Sequence, residues 1–411
     1  MLTNITIEET RELLNKQEIL VKIEGIDILE SLDYILAEDI KSDMPMPPFN
    51  RSPLDGYAYK AEDTIDATED LPVKLKVIDN IQAGHISEFT VSHGQAIRIM
   101  TGAKLPEGAD VIIRYEDTEF TDKQVLIFDN LQAGSNIVKM GEDMLVGDKV
   151  LSTGDKIGPA EVGILASLGR KKIKVFSKPK VAILATGDEL VDIDEDIVDG
   201  KIRNSNSYMI AAQVKRLGIE PKLLGICKDK IEDGIRVLKD ALEWADLIVT
   251  TGGASVGDAD IIKEVFTGLG AEILFWRVQI KPGTPIVGAK YHNKILFGLS
   301  GNPAAAFMTF EQFVRPMILK MMGKSNLKLM KIESTLNSDF TKNCKQNRYV
   351  RAFTYTKDGK YYTQLPDKHS SGVLSSLSGK NSIFFIPAGS GPYKKGDVID
   401  VELIDYVEVN Q

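Results

Sequence analysis

From Lys178 onward the sequence alternates between short apolar runs and amphipathic stretches of helical period. This alternation constrains the fold more than any other feature. Residues 181–185 are a continuous apolar run of strand length, after which Ile210, Val214 and Leu217 share one face of a helix over 207–217. The pattern continues with a strand at 222–226, a helix at 231–244, a strand at 247–250, a helix at 260–269, strands at 272–278 and 295–299, and a long helix at 303–322. Strands separated by helices pair in parallel, so residues 178–325 are expected to form a doubly wound α/β domain with a parallel sheet.

The rest of the chain requires other domains, because its 411 residues exceed the about 250–300 at which one core stops growing. The first forty or so residues look helical and amphipathic. Thr6 with Glu9 is a capping box opening a helix through Leu14, and the pattern breaks at Pro45-Met46-Pro47-Pro48. Residues 46–147 are β-rich, with apolar stretches at 73–78, 96–100, 110–114 and 125–128 between Gly, Asp and Asn turns. A helix at 159–168, with Pro159 in its first turn, and a basic connector at 171–174 follow. Residues 1–45 with 148–177 are therefore assigned to a helical and mixed linking domain. After Gly323 the helical signal vanishes. Short strands at 349–355, 361–365, 382–386 and 398–403 predict a small β-barrel or sandwich over 326–411. The fold class is multidomain α/β plus β.

Charge and cysteine usage narrow the partners. A net charge of -9 disfavours a nucleic-acid binder with a basic face, but a local cation cluster can still hold a small anion. Cys227 and Cys344 stand alone, which excludes a disulfide framework or a Cys-rich zinc site and fits a reducing, cytoplasmic setting. The N-terminus lacks the pattern of a signal peptide, and no apolar run approaches the about 18 residues of a membrane span.

In an open α/β sheet, ligands bind beyond the carboxyl ends of the strands. The strand at 247–250 runs into Thr251-Gly252-Gly253-Ala254-Ser255-Val256-Gly257-Asp258-Ala259-Asp260, where glycines let N–H groups converge on an anion. Ser255 adds a hydroxyl, and Asp258 and Asp260 are candidate Mg2+ ligands; a plain glycine turn with an Asp cap explains the segment equally well. It is neither a dinucleotide fingerprint nor a P-loop. Thr186-Gly187-Asp188-Glu189-Leu190 places two carboxylates at the same rim, or is a polar turn. Asn204-Ser205-Asn206 is explained by capping alone. Alternation along 276–281 puts Arg277, Gln279 and Lys281 on one face, suited to a dianion or simply solvated. Gly298-Leu299-Ser300-Gly301-Asn302-Pro303 opens the long helix. Elsewhere, the loop at 49–58, Met100-Thr101-Gly102-Ala103 and Gly141-Glu142-Asp143 are each turns when taken singly. Together these acidic loops and cations suit metal-assisted chemistry on a phosphorylated ligand.

Ser52-Pro53-Leu54-Asp55-Gly56-Tyr57-Ala58, Ile99-Met100-Thr101-Gly102-Ala103, Gly141-Glu142-Asp143, Thr186-Gly187-Asp188-Glu189-Leu190, residues 251–260, Ile280-Lys281-Pro282-Gly283 and Gly301-Asn302-Pro303 occur in this order. In that order they strongly resemble the molybdopterin molybdenumtransferase family, which includes the E domain of gephyrin, from about residue 5 to about 405. The resemblance implies an elongated four-domain chain that forms a homodimer. It implies a molybdopterin-binding α/β domain whose active cleft is shared with the β-rich domain of the other subunit. Asp55, Thr101, Asp143, Glu189, Asp260 and Lys281 fall on positions tied to activity, and Asp229, Arg277 and Ser371 are weaker correspondences. The chain departs from the family's pattern at Val138-Lys139-Met140, where many members are Arg-rich, and at Ser300, where many have Pro.

The expected reaction inserts molybdenum from molybdate into adenylated molybdopterin, releasing AMP. The ligand's phosphates would lie near Gly252, Gly253, Ser255 and Gly257. Mg2+ would be held by some of Asp55, Asp143, Glu189 and Asp260, and Lys281, Arg277 and hydroxyls such as Ser300 would donate to molybdate. No nucleic acid or membrane is expected as a partner. The alternatives are a molybdopterin adenylyltransferase, which shares only the α/β domain, and a non-enzymatic scaffold.

Overall fold

A computed structural model describes residues 1–253 and 261–409. The chain divides into two units, Met1–Gly25 with Lys174–Gln411, and Ile26–Ile173. It passes from one to the other within two strands, Ile23–Asp27 and Lys172–Phe176.

The first unit is built on a seven-stranded sheet in the order Leu2–Ile5, Glu272–Val278, Val287–Tyr291, Lys294–Leu299, Leu247–Thr251, Val181–Thr186, Lys222–Cys227. The strands expected at 181, 222, 247, 272 and 295 are present, each within a residue or two of its expected bounds. Val181–Thr186 and Leu247–Thr251 are buried along their whole length, as central strands covered on both faces must be. The sheet is mixed rather than wholly parallel, because Val287–Tyr291 runs antiparallel to both of its neighbours. Leu2–Ile5 adds a parallel edge strand beside Glu272–Val278.

The expected capping box at Thr6 and Glu9 is formed, and its helix, Ile7–Asn15, buries Ile7 and Leu14 in the core of this sheet. The helical expectation for the remainder of the first forty residues is overturned. They form short strands and a 3-10 turn, because Gly25, Asp27 and Asp33 interrupt any helical run.

The long helix expected at 303–322 contains a π-helical segment, Phe310–Val314, between Pro303–Thr309 and Arg315–Met321. Pro316 lacks the N–H that a regular helix would give to the carbonyl of residue 312. The wider turn buries Glu311 and Gln312 in succession. Glu311 Oε1 accepts from Gln213 Nε2 and Arg216 Nη2, both at 2.8 Å, and Gln312 Nε2 donates to Glu402 Oε2 at 2.8 Å. These bonds fasten helix Asn206–Arg216 and strand Val398–Leu403 to one segment.

Residues 330–403 form a closed barrel. Its strands run Lys360–Gln364, Met330–Leu336, Val398–Leu403, Ser382–Ile386, Arg348–Lys357, and Arg348–Lys357 pairs back onto Lys360–Gln364. Leu336, Phe340, Val350, Phe384 and Val401 fill it.

The second unit carries a six-stranded sheet in the order Val111–Arg114, Gly56–Tyr59, Gln95–Ile99, Val73–Ile81, Gln124–Ile127, Thr118–Thr121. Tyr57, Tyr59, Val111 and Ile113 fill one face and Ala58, Ile97, Ile99 and Ile112 the other, the period-two division of a sheet buried on both sides. Helix Pro159–Ser167 follows, with Pro159 in its first turn as expected.

Candidate functional site

A cleft of about 1060 Å³ opens at the carboxyl rim of the α/β sheet, walled on one side by sheet loops and on the other by the barrel. The sheet side begins where Val181–Thr186 and Leu247–Thr251 end. Gly252 and Gly253 both take positive φ, 92° and 64°. A Cβ on Gly252 would meet the carbonyl oxygen of Thr186 at 1.9 Å, so glycine is required for the two loops to cross. Asn206 joins these loops to the next. Its Nδ2 donates to Thr251 Oγ1 at 3.0 Å and to the Gly301 carbonyl at 2.9 Å, a task beyond the capping that explained it in sequence. Ser300 is buried, and its Oγ accepts from Asn302 N at 3.2 Å, ordering the turn into helix Pro303–Thr309.

Acidic groups stand beside these turns. Glu189 lines the cleft, and Asp188 and Asp229 clasp each other through their backbones. Asp188 N donates to Asp229 Oδ2 at 3.4 Å and Asp229 N to Asp188 Oδ1 at 3.3 Å. Burial pushes the Asp229 carboxyl above the usual range, and the charges of Asp188 and Glu189 add to the shift. Its Oδ1 is buried without a hydrogen-bond partner among the described residues.

Cations line the cleft as well, Lys281 just past the sheet strand Glu272–Val278 and Lys342, Arg348 and Arg351 from the barrel. Lys281 is tied to the barrel by its backbone, its N–H donating to Asn347 O at 3.0 Å and its carbonyl accepting from Tyr349 N at 2.9 Å. Arg351 is 2% exposed and fixes the loop that brings His369, Ser370 and Ser371 to the cleft. Its Nε donates to Ser376 Oγ at 2.6 Å, and its Nη2 to Lys368 O at 2.8 Å and Ser370 O at 3.0 Å. The carbonyl of Ser371 accepts from Ala304 N at 3.0 Å, joining this loop to the start of helix Pro303–Thr309.

Among the residues expected from sequence, Glu189, Asp229, Gly252, Gly253, Lys281, Ser300 and Ser371 line this one cleft. Arg277 does not, which corrects the expectation of a cationic strand face. The strand ends at Val278, and Arg277 takes a positive φ of 64° that breaks the alternation. Its guanidinium lies 4.0 Å over the Trp276 ring, and the Gln279 side chain donates to Asn4 O at 2.8 Å. Ser255, Gly257, Asp258 and Asp260 lie outside the described residues. Lys342, Arg348, Arg351 and His369 were missed. The available signal was the run Lys342, Lys345, Arg348, Arg351, a cation at every third position.

Asp55, Thr101 and Asp143 belong to the Ile26–Ile173 unit. Asp55 Oδ1 accepts from Thr101 N at 2.7 Å and Thr101 Oγ1 at 2.8 Å. These bonds, backbone first, hold the Asp55 carboxyl below the usual range. The Asp-Gly-Tyr-Ala segment, expected as a loop, passes straight into the buried strand Gly56–Tyr59. A Cβ on Gly56 would meet Ile113 O at 1.9 Å. Asp143 is exposed, one residue after Glu142 in a turn whose Gly141 has φ 76°. Among the described residues no group of three His, Cys, Asp or Glu side chains is arranged to hold a metal ion. Of the expected Mg2+ ligands, the described part of the cleft holds Glu189 alone. No helix among the described residues is long and apolar enough to cross a membrane.

Comparison with known proteins covers nearly the whole chain. Residues 5–169 match the MoeA N-terminal region (domain I and II), residues 182–320 the "Probable molybdopterin binding domain", and residues 333–404 the MoeA C-terminal region (domain IV). A molybdopterin molybdenumtransferase of Staphylococcus epidermidis is 39% identical over 405 residues, covering 98% of this chain and 96% of that protein. The Staphylococcus aureus protein of the same name is 38% identical over 400 residues, 97% of this chain and 95% of its own. The crystal structure of a molybdopterin biosynthesis MoeA protein from Pyrococcus horikoshii superposes with a TM-score of 0.81 at 31% identity, covering 97% of this chain and 100% of that one. The order of the sequence motifs, the rim they build and full-length relatives of this similarity agree, and the chain belongs to the molybdopterin molybdenumtransferase family.

Proposed function

We propose that this enzyme inserts molybdenum into molybdopterin, the metal-inserting reaction of molybdenum cofactor biosynthesis, and that the cleft between the sheet rim and the barrel is where it does so. The observation that carries the reading is the pairing of two walls, Gly252–Gly253 with Glu189 on one side and Lys281, Lys342, Arg348 and Arg351 on the other. Backbone N–H groups at a glycine turn suit the phosphates of an adenylated molybdopterin. Cations suit molybdate, a tetrahedral dianion carried as substrate.

Exchange of one oxo group of molybdate for the two dithiolene sulfurs releases one water, and the two thiol protons balance it. In this scheme Lys281 and the barrel cations hold the oxyanion while its charge is redistributed. Ser300 and Ser371 offer hydroxyls to the same space, and Asp229, its carboxyl pushed up by burial, can hold a proton at the rim. AMP leaves once its anhydride bond is hydrolysed. Asp55, Thr101 and Asp143 are assigned to the cleft of a second copy in a homodimer, by resemblance to the family, and Mg2+ is the proposed assisting ion. The four-part division at 1–45 with 148–177, 46–147, 178–325 and 326–411 is proposed with it. A cytoplasmic location suits Cys227 and Cys344, both buried and unpaired.

The test mixes purified protein with adenylated molybdopterin, Mg2+ and molybdate and follows AMP. Release that requires molybdate is expected. ATP consumption without molybdate would mark an adenylyltransferase instead, and tight binding with no release would mark a scaffold.

A further inference from the structure

We propose that His369 is a proton-linked anion ligand: its imidazole takes up a proton as a tetrahedral oxyanion enters the cleft, so that the oxyanion and one proton bind together. The proposal rests on the oxyanion-binding reading of the cleft.

The position of His369 is fixed by its neighbours. The carbonyls on either side of it, Lys368 O and Ser370 O, both accept from Arg351 Nη2, so a single buried guanidinium clamps the loop at this residue. Its ring packs edge-on against Phe340, with centroids 5.7 Å apart. The side chain lines the cleft, yet its Nδ1 is buried with no hydrogen-bond partner among the described residues. A buried, unbonded imidazole nitrogen costs stability unless some state of the protein satisfies it.

The charges facing His369 come from several segments. Lys342 precedes the barrel strand, Arg348 and Arg351 lie on it, and Lys281 follows the sheet strand Glu272–Val278; among the described residues Asp367, two residues away, is the opposing charge that bears on it. Burial, then Lys342, Arg351 and Arg348, pull the imidazole below the usual histidine range and keep it neutral in the empty cleft. A dianion reverses this balance. It neutralises the surrounding cations, favours the imidazolium and gives it an oxygen to donate to. Affinity for the anion and affinity for the proton are then coupled, each raising the other. Lysine and arginine alone would give an anion site with no such coupling.

Titration calorimetry of the full chain with inorganic molybdate, and with sulfate in parallel, tests this in buffers of different ionisation heat. Wild type is expected to take up a proton with the oxyanion at pH values above the usual histidine range, and its affinity should rise as the pH falls. His369→Gln should abolish both the uptake and the pH dependence. His369→Lys should bind without uptake and with a flat profile. Glu189 and Asp229 on the facing wall are untouched in both variants, so the difference isolates the imidazole. Equal proton uptake by wild type and His369→Gln, or oxyanion binding by wild type with no uptake, would overturn the proposal alone. Failure of wild type to bind either oxyanion would overturn the reading of the cleft, and the proposal with it.

Discussion

Replacing Arg351 with methionine removes a guanidinium while keeping most of the volume of its stem. The group is 2% exposed and bonds to Ser376 Oγ, Lys368 O and Ser370 O at 2.6, 2.8 and 3.0 Å. Charge-assisted hydrogen bonds contribute about 1.5–3 kcal/mol each, but the sum overstates the loss. Lys368 and Ser370 sit at exposed positions where water can take over their carbonyls, and the Ser376 hydroxyl still donates to Val373 O. Burial also penalises the guanidinium, pulling its pKa below the usual value. About 2–3 kcal/mol of loop closure remains to be lost, which multiplies the population of the open loop roughly 30- to 150-fold. Native-state hydrogen exchange reads this directly. The amides of Val373 and Ser376, bonded to Ser370 O and Val373 O, should lose protection by that factor, while those of helix Ile231–Leu242 stay unchanged. Arg351→Lys keeps the charge without the fork and should leave protection low. If protection at Val373 and Ser376 is unaltered in Arg351→Met, the clamp does not hold the loop and the reasoning fails.

Three further changes probe the sheet side and the core beneath it. Gly252→Ala places a Cβ 1.9 Å from the Thr186 carbonyl at φ 92°, so it should abolish binding of adenylated molybdopterin and lower stability by more than the about 1–2 kcal/mol of left-handed strain alone. Gly270→Ala, at φ 81° with nothing within 4 Å, carries that strain without the clash, and thermal melts of the two variants should separate the effects. Glu311 has its carboxyl raised, chiefly by burial, so the folded chain keeps this proton to a higher pH than the unfolded chain does. That contribution is full below the unfolded value of about 4.3 and is lost as pH rises through the folded pKa. The stability of wild type relative to Glu311→Gln, from urea unfolding, should therefore fall over that window; a pH-independent difference would contradict it.

Much of the α/β domain was legible because its rules are local. Val181–Thr186 and Leu247–Thr251 are strands covered on both faces and show as unbroken apolar runs. The two strands of its seven-stranded sheet that escaped notice lack that signature. Leu2–Ile5 is largely exposed, and its register is set by a partner far along the chain, Leu2 opposite Phe275. Val287–Tyr291 contains Gly288, where a Cβ would meet the Phe275 ring at 2.1 Å, so close packing there demands the absence of the side chain that would have marked a strand.

The same distinction divides the cleft. Its sheet wall could be read from sequence because a positive φ and a close approach of backbones each require glycine, and Gly252 and Gly253 meet both demands within two residues. Its barrel wall could not, because a lysine or arginine is compatible with almost any solvated position and nothing in the chain near Arg351 states that it will be 2% exposed. Arg277 shows the converse error. Strand periodicity aimed it at the substrate, but one residue in the left-handed region turned it onto Trp276. A cation's role is thus decided by tertiary placement, and Arg351 is held at the cleft wall because Lys368, Ser370 and Ser376 converge on it from a loop that sequence spacing does not relate to it.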